Sequence, residues 1–275
     1  MIVRGSGKMH EITKIRENIL HIQEASNTCF TVIAGSERAL ILDTGHGVGR
    51  NREFIESLVA TPYTVINTHG HPDHTQGNWQ FDEVWMHPLD LPAFDDANTK
   101  AQRGRNADRL IGNQELDPEG RQAFIDRPVT RPLPLTGSEH YDLGDLHPYL
   151  VMLPGHSKGS VGVVVPEYRL LLSGDAFGPD MWMFAANHDT LETLHWTLEY
   201  VLTLPVDTFM GTHMYRETDI AAARDLIDTL DHGVLDTGSK KIMFGDVTYK
   251  LRYQGKVYKD CAINVTEEDA QRFLR

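Results

Sequence analysis

Residues 68–74 of this chain, with the sequence Thr-His-Gly-His-Pro-Asp-His, concentrate side chains that bind metal ions. Three of the 14 histidines and one aspartate lie within this segment, as His69, His71, Asp73 and His74. Neutral imidazole and carboxylate are the ligands that borderline divalent metals prefer. Since one loop that presents four such groups can supply ligands to two ions, the segment predicts a metal centre.

The residues around this segment predict how it is positioned. The apolar run Tyr63–Ile66 predicts a buried strand that ends just before the first histidine. Gly70 permits a tight backbone, and Pro72 favours an extended conformation at His71. We therefore expect the candidate ligands to follow the end of a strand and to lead into a helix.

The segment 69–74 matches the H-x-H-x-D-H signature of metallo-β-lactamase-fold hydrolases, and the chain resembles that family, in its glyoxalase II-like or lactonase-like branch. The family carries three further ligands, each at the end of a strand. Candidates follow here in the same order: His156 in Leu-Pro-Gly-His-Ser, Asp175 in Leu-Ser-Gly-Asp-Ala and His213 in Met-Gly-Thr-His. The resemblance covers residues 12–230 and leaves no ligand position of the family unfilled.

The resemblance implies a dinuclear site whose cofactors are two divalent metal ions, with Zn²⁺ as the expected metal and Fe or Mn as alternatives. The first metal would be held by His69, His71 and His156. The second metal would be held by Asp73, His74 and His213, and Asp175 would bridge the two. Asp73 is also the candidate catalytic residue, because a carboxylate there could orient the nucleophile or move its proton.

The activity that the resemblance implies is hydrolysis of an ester, thioester, lactone or amide bond of a small metabolite by a metal-bridging hydroxide. Two metals about 3.5–4 Å apart can share one hydroxide and lower its pKa. Three alternatives stay open: a phosphodiesterase of the same fold, a mononuclear iron enzyme similar to persulfide dioxygenases, and a non-catalytic binding module. Oxygen-reducing di-iron relatives place Glu where His71 stands, and lactonases usually carry Tyr near Phe177 and Gly178, so the sequence disfavours both groups.

Four further residues are candidates for the site. Asp43 follows a predicted strand, and the resemblance places there an Asp that could accept the other ring N–H of a ligand histidine. Trp182 and Phe184 belong to an apolar stretch, residues 177–184, which we expect to form a loop beside a substrate pocket. Lys158 is the third candidate for a substrate contact.

A locally basic stretch contrasts with the acidic composition of the chain. It contains Lys100, Arg103, Arg105 and Arg109. A solvated helix face is the simpler interpretation, and contact with an anionic group of the substrate is the alternative. His46, next to a glycine-rich bend, also has two interpretations. One is a structural or solvated role, and the other is a place in the site.

Composition limits the class of protein and its partners. The 275 residues are 40% hydrophobic and 24% charged, as in ordinary globular proteins. The net charge of −13 disfavours nucleic acid and anionic membranes, so the expected partner is a small-molecule substrate, with a homo-oligomer also compatible. No apolar run approaches the ~20 residues of a membrane span, and the N-terminus lacks a signal-peptide core. Because Cys29 and Cys261 make no disulfide framework, a cytoplasmic location is expected.

The predicted fold class is α/β. Periodicity by itself supports only a mixed α/β chain, with helices at 50–60, 190–204 and 217–230 between short strands. The resemblance implies the four-layered αβ/βα sandwich of the metallo-β-lactamase fold in a single domain, residues 1–275. We expect a helical insertion at about 88–135 and a small C-terminal β appendage at about 240–275.

Overall fold

The computed structural model describes residues 2–4, 9–243 and 246–274. The chain divides into two compact units, Met1–Leu150 and Val151–Arg275, called here the first and second unit. The expectation of a single domain stays a prediction. The described segments include no helix with the length and hydropathy needed to cross a bilayer.

Within the residues described, the first unit contains one sheet of eight strands that are ordered as in the chain. They are β1 (Ile2–Arg4), β2 (Met9–Arg16), β3 (Ile19–Gln23), β4 (Cys29–Ala34), β5 (Ala39–Leu42), β6 (Tyr63–Ile66), β7 (Trp85–Met86) and β8 (Leu133–Pro134). Strands β1 to β5 pair antiparallel. Strands β5 to β8 then pair in parallel.

The helices of the first unit pack their apolar sides into its core. They are α1 (Asn51–Leu58), α2 (Pro72–Thr75), α3 (Leu91–Ala97), α4 (Lys100–Gly112) and α5 (Arg121–Asp126), with 3₁₀ turns at Ala25–Asn27, Asn78–Gln80, Pro88–Asp90 and Pro118–Gly120. Ile55 of α1 is fully buried and belongs to one apolar cluster with Phe30, Val32, Ile41 and Val65. The predicted amphipathic helix therefore covers the sheet that ends at the metal-binding segment.

The predicted helical insertion contains α3, α4 and α5. Helix α4 is capped by Thr99, whose hydroxyl accepts the backbone N–H of Gln102 at 3.1 Å. Ala107 and Leu110 of α4 are buried together with Phe124 of α5. The same cluster includes Ala25 and packs against Val48, which lie outside the insertion, so it anchors α4 to the rest of the first unit.

The described strands of the second unit are β9 (Tyr149–Met152), β10 (Val161–Val165), β11 (Leu170–Gly174), β12 (Asp180–Met183), β13 (Thr208–Gly211), β14 (Thr218–Asp219), β15 (Val234–Met243), β16 (Asp246–Tyr253) and β17 (Cys261–Thr266). They form two sheets, one in the order β14-β13-β11-β10-β9 and one in the order β12-β17-β16-β15. Strand β10 is buried along its whole length, which explains its unbroken apolar sequence.

The helices of the second unit follow the predicted periodicity with one correction. They are α6 (Leu191–Val201), α7 (Ala222–His232) and α8 (Glu267–Ala270), with 3₁₀ turns at Pro166–Tyr168 and Gln271–Phe273. Leu194 and Leu198 of α6 are fully buried, as the spacing predicted. Helix α7 begins at Ala222 and not at residue 217, because Thr218 pairs in a strand with Phe209.

The stretch 177–184 is not the loop that its sequence suggested, because it contains strand β12. This strand pairs in parallel with β17, where Met181 lies opposite Ile263 and both side chains are buried. The predicted C-terminal appendage also begins earlier, at Val234, and shares its sheet with β12. Pairing with a segment about 80 residues away fixes this strand, and no local pattern reveals it.

Candidate functional site

The metal-binding segment of the first unit lies between the end of β6 and the start of α2. His71 is extended, with φ −69° and ψ 160°, as the following proline predicted. A Cβ atom on Gly70 would lie 2.5 Å from the carbonyl oxygen of Asp90, so only glycine fits there. The N–H of Gly70 donates to Oδ2 of Asp90 at 2.8 Å, which holds the turn in place.

The four candidate ligands of this segment lie close together. Nε2 of His69 is 3.0 Å from Nδ1 of His71, and Nε2 of His74 is 3.7 Å from Oδ2 of Asp73. The rings of His69 and His74 have centroids 3.9 Å apart. Two ligand atoms bound to one tetrahedral zinc ion, each about 2.1 Å away, stand about 3.4 Å from each other. The spacing of these donor atoms therefore suits metal coordination.

Asp43 contacts the histidine that it was expected to orient. Its Oδ2 is 2.8 Å from Nδ1 of His74, and its two oxygens accept the backbone N–H and the hydroxyl of Thr68 at 2.7 and 2.8 Å. Because an ionised carboxylate only accepts, the ring proton of His74 is on Nδ1. Nε2 then keeps its lone pair for a metal. The predicted contact is present, and its role in metal binding stays a prediction.

A polar network that was not predicted from the sequence holds the same segment in place. The amide nitrogen of Asn67 donates to the carbonyl oxygen of His74 at 2.8 Å, and that of Asn78 donates to Oδ1 of Asn67 at 2.8 Å. The hydroxyl of Thr44 donates to Oδ1 of Asn78 at 2.7 Å. All four residues are buried. An Asn after a strand resembles an ordinary turn residue, so the sequence contained no signal for this network.

The three candidate ligands of the second unit also converge. Oδ2 of Asp175 is 3.2 Å from Nε2 of His213 and 3.9 Å from Nε2 of His156. Nδ1 of His156 is 2.8 Å from the carbonyl oxygen of Trp182, to which it donates, so Nε2 is the nitrogen left to bind a metal. These residues follow β9, β11 and β13, as expected for ligands at strand ends. A carboxylate oxygen that faces two imidazole nitrogens has the surroundings of a bridging ligand.

The three candidate substrate contacts differ in exposure. Trp182 is half-buried and its ring centroid lies 5.3 Å from that of Phe184, which is only 3% exposed. Lys158 is exposed, and its backbone N–H donates to the carbonyl oxygen of Asn187 at 3.1 Å. Phe184 therefore has a packing role within the second unit. Substrate contact stays a prediction for all three.

Three of the four residues in the basic stretch are bound within the insertion. Lys100 pairs with Asp126 at 2.6 Å, Arg105 contacts Gln102, and Arg103 donates to the carbonyl oxygens of Ile125 and Arg127 at 3.0 and 2.6 Å. Arg109 differs, because its Nη2 is 3.0 Å from Nε2 of His46. Since His46 is fully buried, the interpretation of this residue as solvated is wrong. Burial lowers the pKa of His46 to about 4 and keeps the ring neutral at pH 7.

Comparison with known proteins agrees with this geometry. The family model described as the metallo-beta-lactamase superfamily matches residues 26–213. The chain is 26% identical over 201 residues to the probable metallo-hydrolase YqgX of Bacillus subtilis, covering 70% of this chain and 87% of that protein. It is 28% identical over 163 residues to the acyl-coenzyme A thioesterase MBLAC2 of Homo sapiens, covering 52% of this chain and 56% of that one. The relatives support a hydrolase at the level of the family.

Solved structures show the same fold. A metallo-beta-lactamase family protein from Thermus thermophilus aligns with TM-score 0.57 and 18% identity, over 78% of this chain and 79% of that chain. The sec-alkylsulfatase Pisa1 from Pseudomonas sp. aligns with TM-score 0.61 and 12% identity, over 81% of this chain and 42% of that chain. The predicted fold class, an α/β sandwich of the metallo-β-lactamase type, is thereby confirmed. The chain belongs to the metallo-β-lactamase superfamily.

Proposed function

We propose that this protein is a dinuclear metal-dependent hydrolase that cleaves an ester, thioester, lactone or amide bond of a small molecule. The observation that supports this most directly is the position of Asp175, whose Oδ2 faces imidazole nitrogens of His213 and His156 at 3.2 and 3.9 Å. A buried or half-buried carboxylate among neutral imidazoles is a donor set for divalent ions.

The proposed ligands are the seven residues that the family resemblance implies. They are His69, His71 and His156 for one ion, Asp73, His74 and His213 for the other, and Asp175 for both. Zn²⁺ is the metal that this donor set favours, and Fe or Mn are alternatives. Bound ions would supply Lewis acidity and a water molecule with a lowered pKa.

The protein side chains would position the reacting groups. Asp43 fixes the ring of His74, so that Nε2 is presented without its proton. Asp73 keeps 24% of its side chain exposed, and the hydroxyl of Thr28 lies 3.4 Å from its Oδ2. A partly exposed carboxylate beside a reacting centre can accept and return a proton. Asp73 is therefore proposed to orient the nucleophile and to move its proton.

Attack at carbon is proposed over attack at phosphorus. One relative is named an acyl-coenzyme A thioesterase, which supports a thioester substrate, although this chain spans only about half of that protein. The net charge of −13 disfavours nucleic acid as a substrate. Cleavage of C–O or C–S bonds is therefore proposed ahead of C–N bonds and phosphodiesters.

Kinetics on matched substrates tests this proposal. An activated aryl ester, the thioester of the same acyl group and a bis-aryl phosphodiester with the same leaving group are compared by kcat/KM on protein purified without chelator. The ester or thioester is expected to be the preferred substrate. A tenfold preference for the phosphodiester would place the protein among phosphodiesterases, and oxygen uptake with one bound iron would favour the dioxygenase alternative.

A further inference from the structure

Arg109 is a cation of the insertion that hydrogen-bonds no carboxylate in the described part of the chain. Other arginines there are paired: Arg121 donates to Asp108 at 2.6 and 3.0 Å, and Arg131 to Asp95 at 2.5 and 3.2 Å. The guanidinium of Arg109 instead contacts a neutral ring, that of His46. Its charge is therefore available to an anion.

His46 adds a hydrogen-bond donor to the same place. A guanidinium cannot accept a hydrogen bond, so Nε2 of His46 accepts from Arg109. The proton of the neutral ring must then be on Nδ1. This atom is buried and, among the described residues, has no hydrogen-bond partner. A buried N–H without an acceptor is unfavourable, which makes an acceptor group of a ligand a suitable partner.

Arg127 is a second guanidinium in this region without a carboxylate contact in the described residues. It donates to the carbonyl oxygen of Gly47 at 3.3 Å and to Oε1 of Gln76 at 3.5 Å, and its Cζ lies 3.8 Å from the centre of the Phe124 ring. Burial, and then repulsion by Arg103, lower the pKa of Arg127 to about 9. An anion bound nearby would offset this cost.

Two acidic groups, Glu24 and Asp73, act on His46, and Glu24 also acts on Arg127. The carboxylate of Glu24 is occupied by four donors, which are the backbone N–H groups of His46, Val48 and Gly49 and the side-chain amide of Asn51, at 2.7 to 3.3 Å. Asp73 is a proposed metal ligand. Arg109 contacts the ring of His46 and Arg127 acts electrostatically on the same ring, so two guanidinium groups lie near the unpartnered Nδ1–H. In the described residues neither guanidinium hydrogen-bonds a carboxylate.

We propose that His46, Arg109 and Arg127 form a binding site for an oxyanion, a carboxylate or phosphate group, that is carried by the substrate. A guanidinium presents paired N–H groups that match the oxygens of either anion. Asp73, a candidate catalytic residue, acts electrostatically on His46. The inference rests on the proposed hydrolase function only in assigning the anion to a substrate.

Anion binding can be measured without turnover. Isothermal titration calorimetry with succinate and with inorganic phosphate is carried out on the metal-containing wild type, on Arg109→Gln and on Arg105→Gln. Both arginines are exposed on α4, and Arg105 hydrogen-bonds Gln102 and not His46, so it is a matched control. Elemental analysis checks that wild type and variants contain the same amount of metal, so that the metals contribute equally. Arg109→Gln is expected to weaken binding of at least one anion by about tenfold, with Arg109→Lys in between, and Arg105→Gln by less than about twofold.

The source of the anion is tested by kinetics on matched thioesters. Butyryl-pantetheine, succinyl-pantetheine and butyryl-phosphopantetheine differ only in an acyl carboxylate or in the phosphate of the carrier. Selective loss of kcat/KM by Arg109→Gln with the succinyl substrate assigns a carboxylate, and with the phosphopantetheine substrate a phosphate. Equal behaviour of Arg109→Gln and Arg105→Gln in calorimetry, with both anions, would overturn the proposal. Intact anion binding without turnover of these thioesters, or of an ester, lactone or amide, would instead count against the hydrolase assignment alone.

Discussion

Nδ1 of His74 lies 2.8 Å from Oδ2 of Asp43, although 31 positions separate the two residues in the chain. The contact joins the end of β5 to the start of α2, and both side chains are almost fully buried. Asp43 adopts a positive φ of 68°, which turns the chain so that its carboxylate points at the ring. The orientation of one candidate ligand therefore depends on a residue that lies outside the metal-binding motif.

Replacement of Asp43 by Asn is expected to weaken metal binding by about 10–100-fold, because an amide is a poorer acceptor for the ring N–H of His74. Asn tolerates the positive φ at this position, so backbone strain is not added. Competition with a chromophoric chelator measures the affinity. Asp145→Asn is the control, since that exposed carboxylate also accepts a backbone N–H, from Ser36. Equal losses in both variants would argue against an orienting role.

Purified protein is expected to contain about two divalent ions per chain when chelators are avoided, since three ligands for each ion and one shared carboxylate suffice for a dinuclear site. Elemental analysis of protein with a known concentration gives the ratio. A ratio near one in fully active, metal-replete protein would contradict the dinuclear assignment.

Asp175→Asn is expected to reduce metal content and to abolish nearly all hydrolysis, because a neutral amide cannot offset the charge of two ions. Asp180→Asn is the matched control, five residues further along. Its carboxylate bonds Lys250 and Asn264 and is half exposed, so a loss of stability within about 1 kcal/mol is expected. Metal analysis, activity and urea unfolding are measured on both variants. Similar loss of metal in the two would show that the bridging ligand was misassigned.

Trp182→Ala is expected to raise KM, or to change relative rates among substrates, with metal content unchanged. Metal binding should survive because His156 bonds the backbone carbonyl of Trp182, which the substitution keeps. Phe184→Ala should mainly destabilise the second unit, by about 3–5 kcal/mol, since this ring is buried. Kinetics and metal analysis are compared with unfolding midpoints. Metal loss in Trp182→Ala would mean that this side chain supports the ligand and does not contact substrate.

Stability of the protein is expected to fall as pH decreases from 7.5 to 5, in part because of His46. Burial lowers its folded-state pKa to about 4, whereas the unfolded ring titrates near 6.5. The unfolded state therefore binds more protons in this range, which corresponds to about 2 kcal/mol between pH 7.5 and 5. Denaturant unfolding at several pH values compares wild type with His46→Gln. An unchanged pH slope in the variant would show that Asp73, Glu24, Arg109 and Arg127 already compensate the protonated ring.

The motif and the regular elements around it could be predicted from sequence because they depend on neighbouring residues. The extended conformation of His71 follows from Pro72, and the strand Tyr63–Ile66 from its apolar run. The burial of Leu194 and Leu198 follows from helical spacing. The order of the seven candidate ligands along the chain could also be predicted, because the family resemblance specifies it.

Contacts between distant segments were determined only by tertiary structure. Strand β12 forms because Met181 finds a partner at Ile263, and an apolar run without that partner is compatible with a loop. The pairing of Arg109 with His46 is of the same kind, since charge along a helix does not show what faces each side chain. Hydrophobic periodicity and motif spacing describe only segments of a few turns. The contact between His46 and Arg109 spans 63 positions of the chain, and that between Met181 and Ile263 spans 82 positions. Such contacts are selected by tertiary packing.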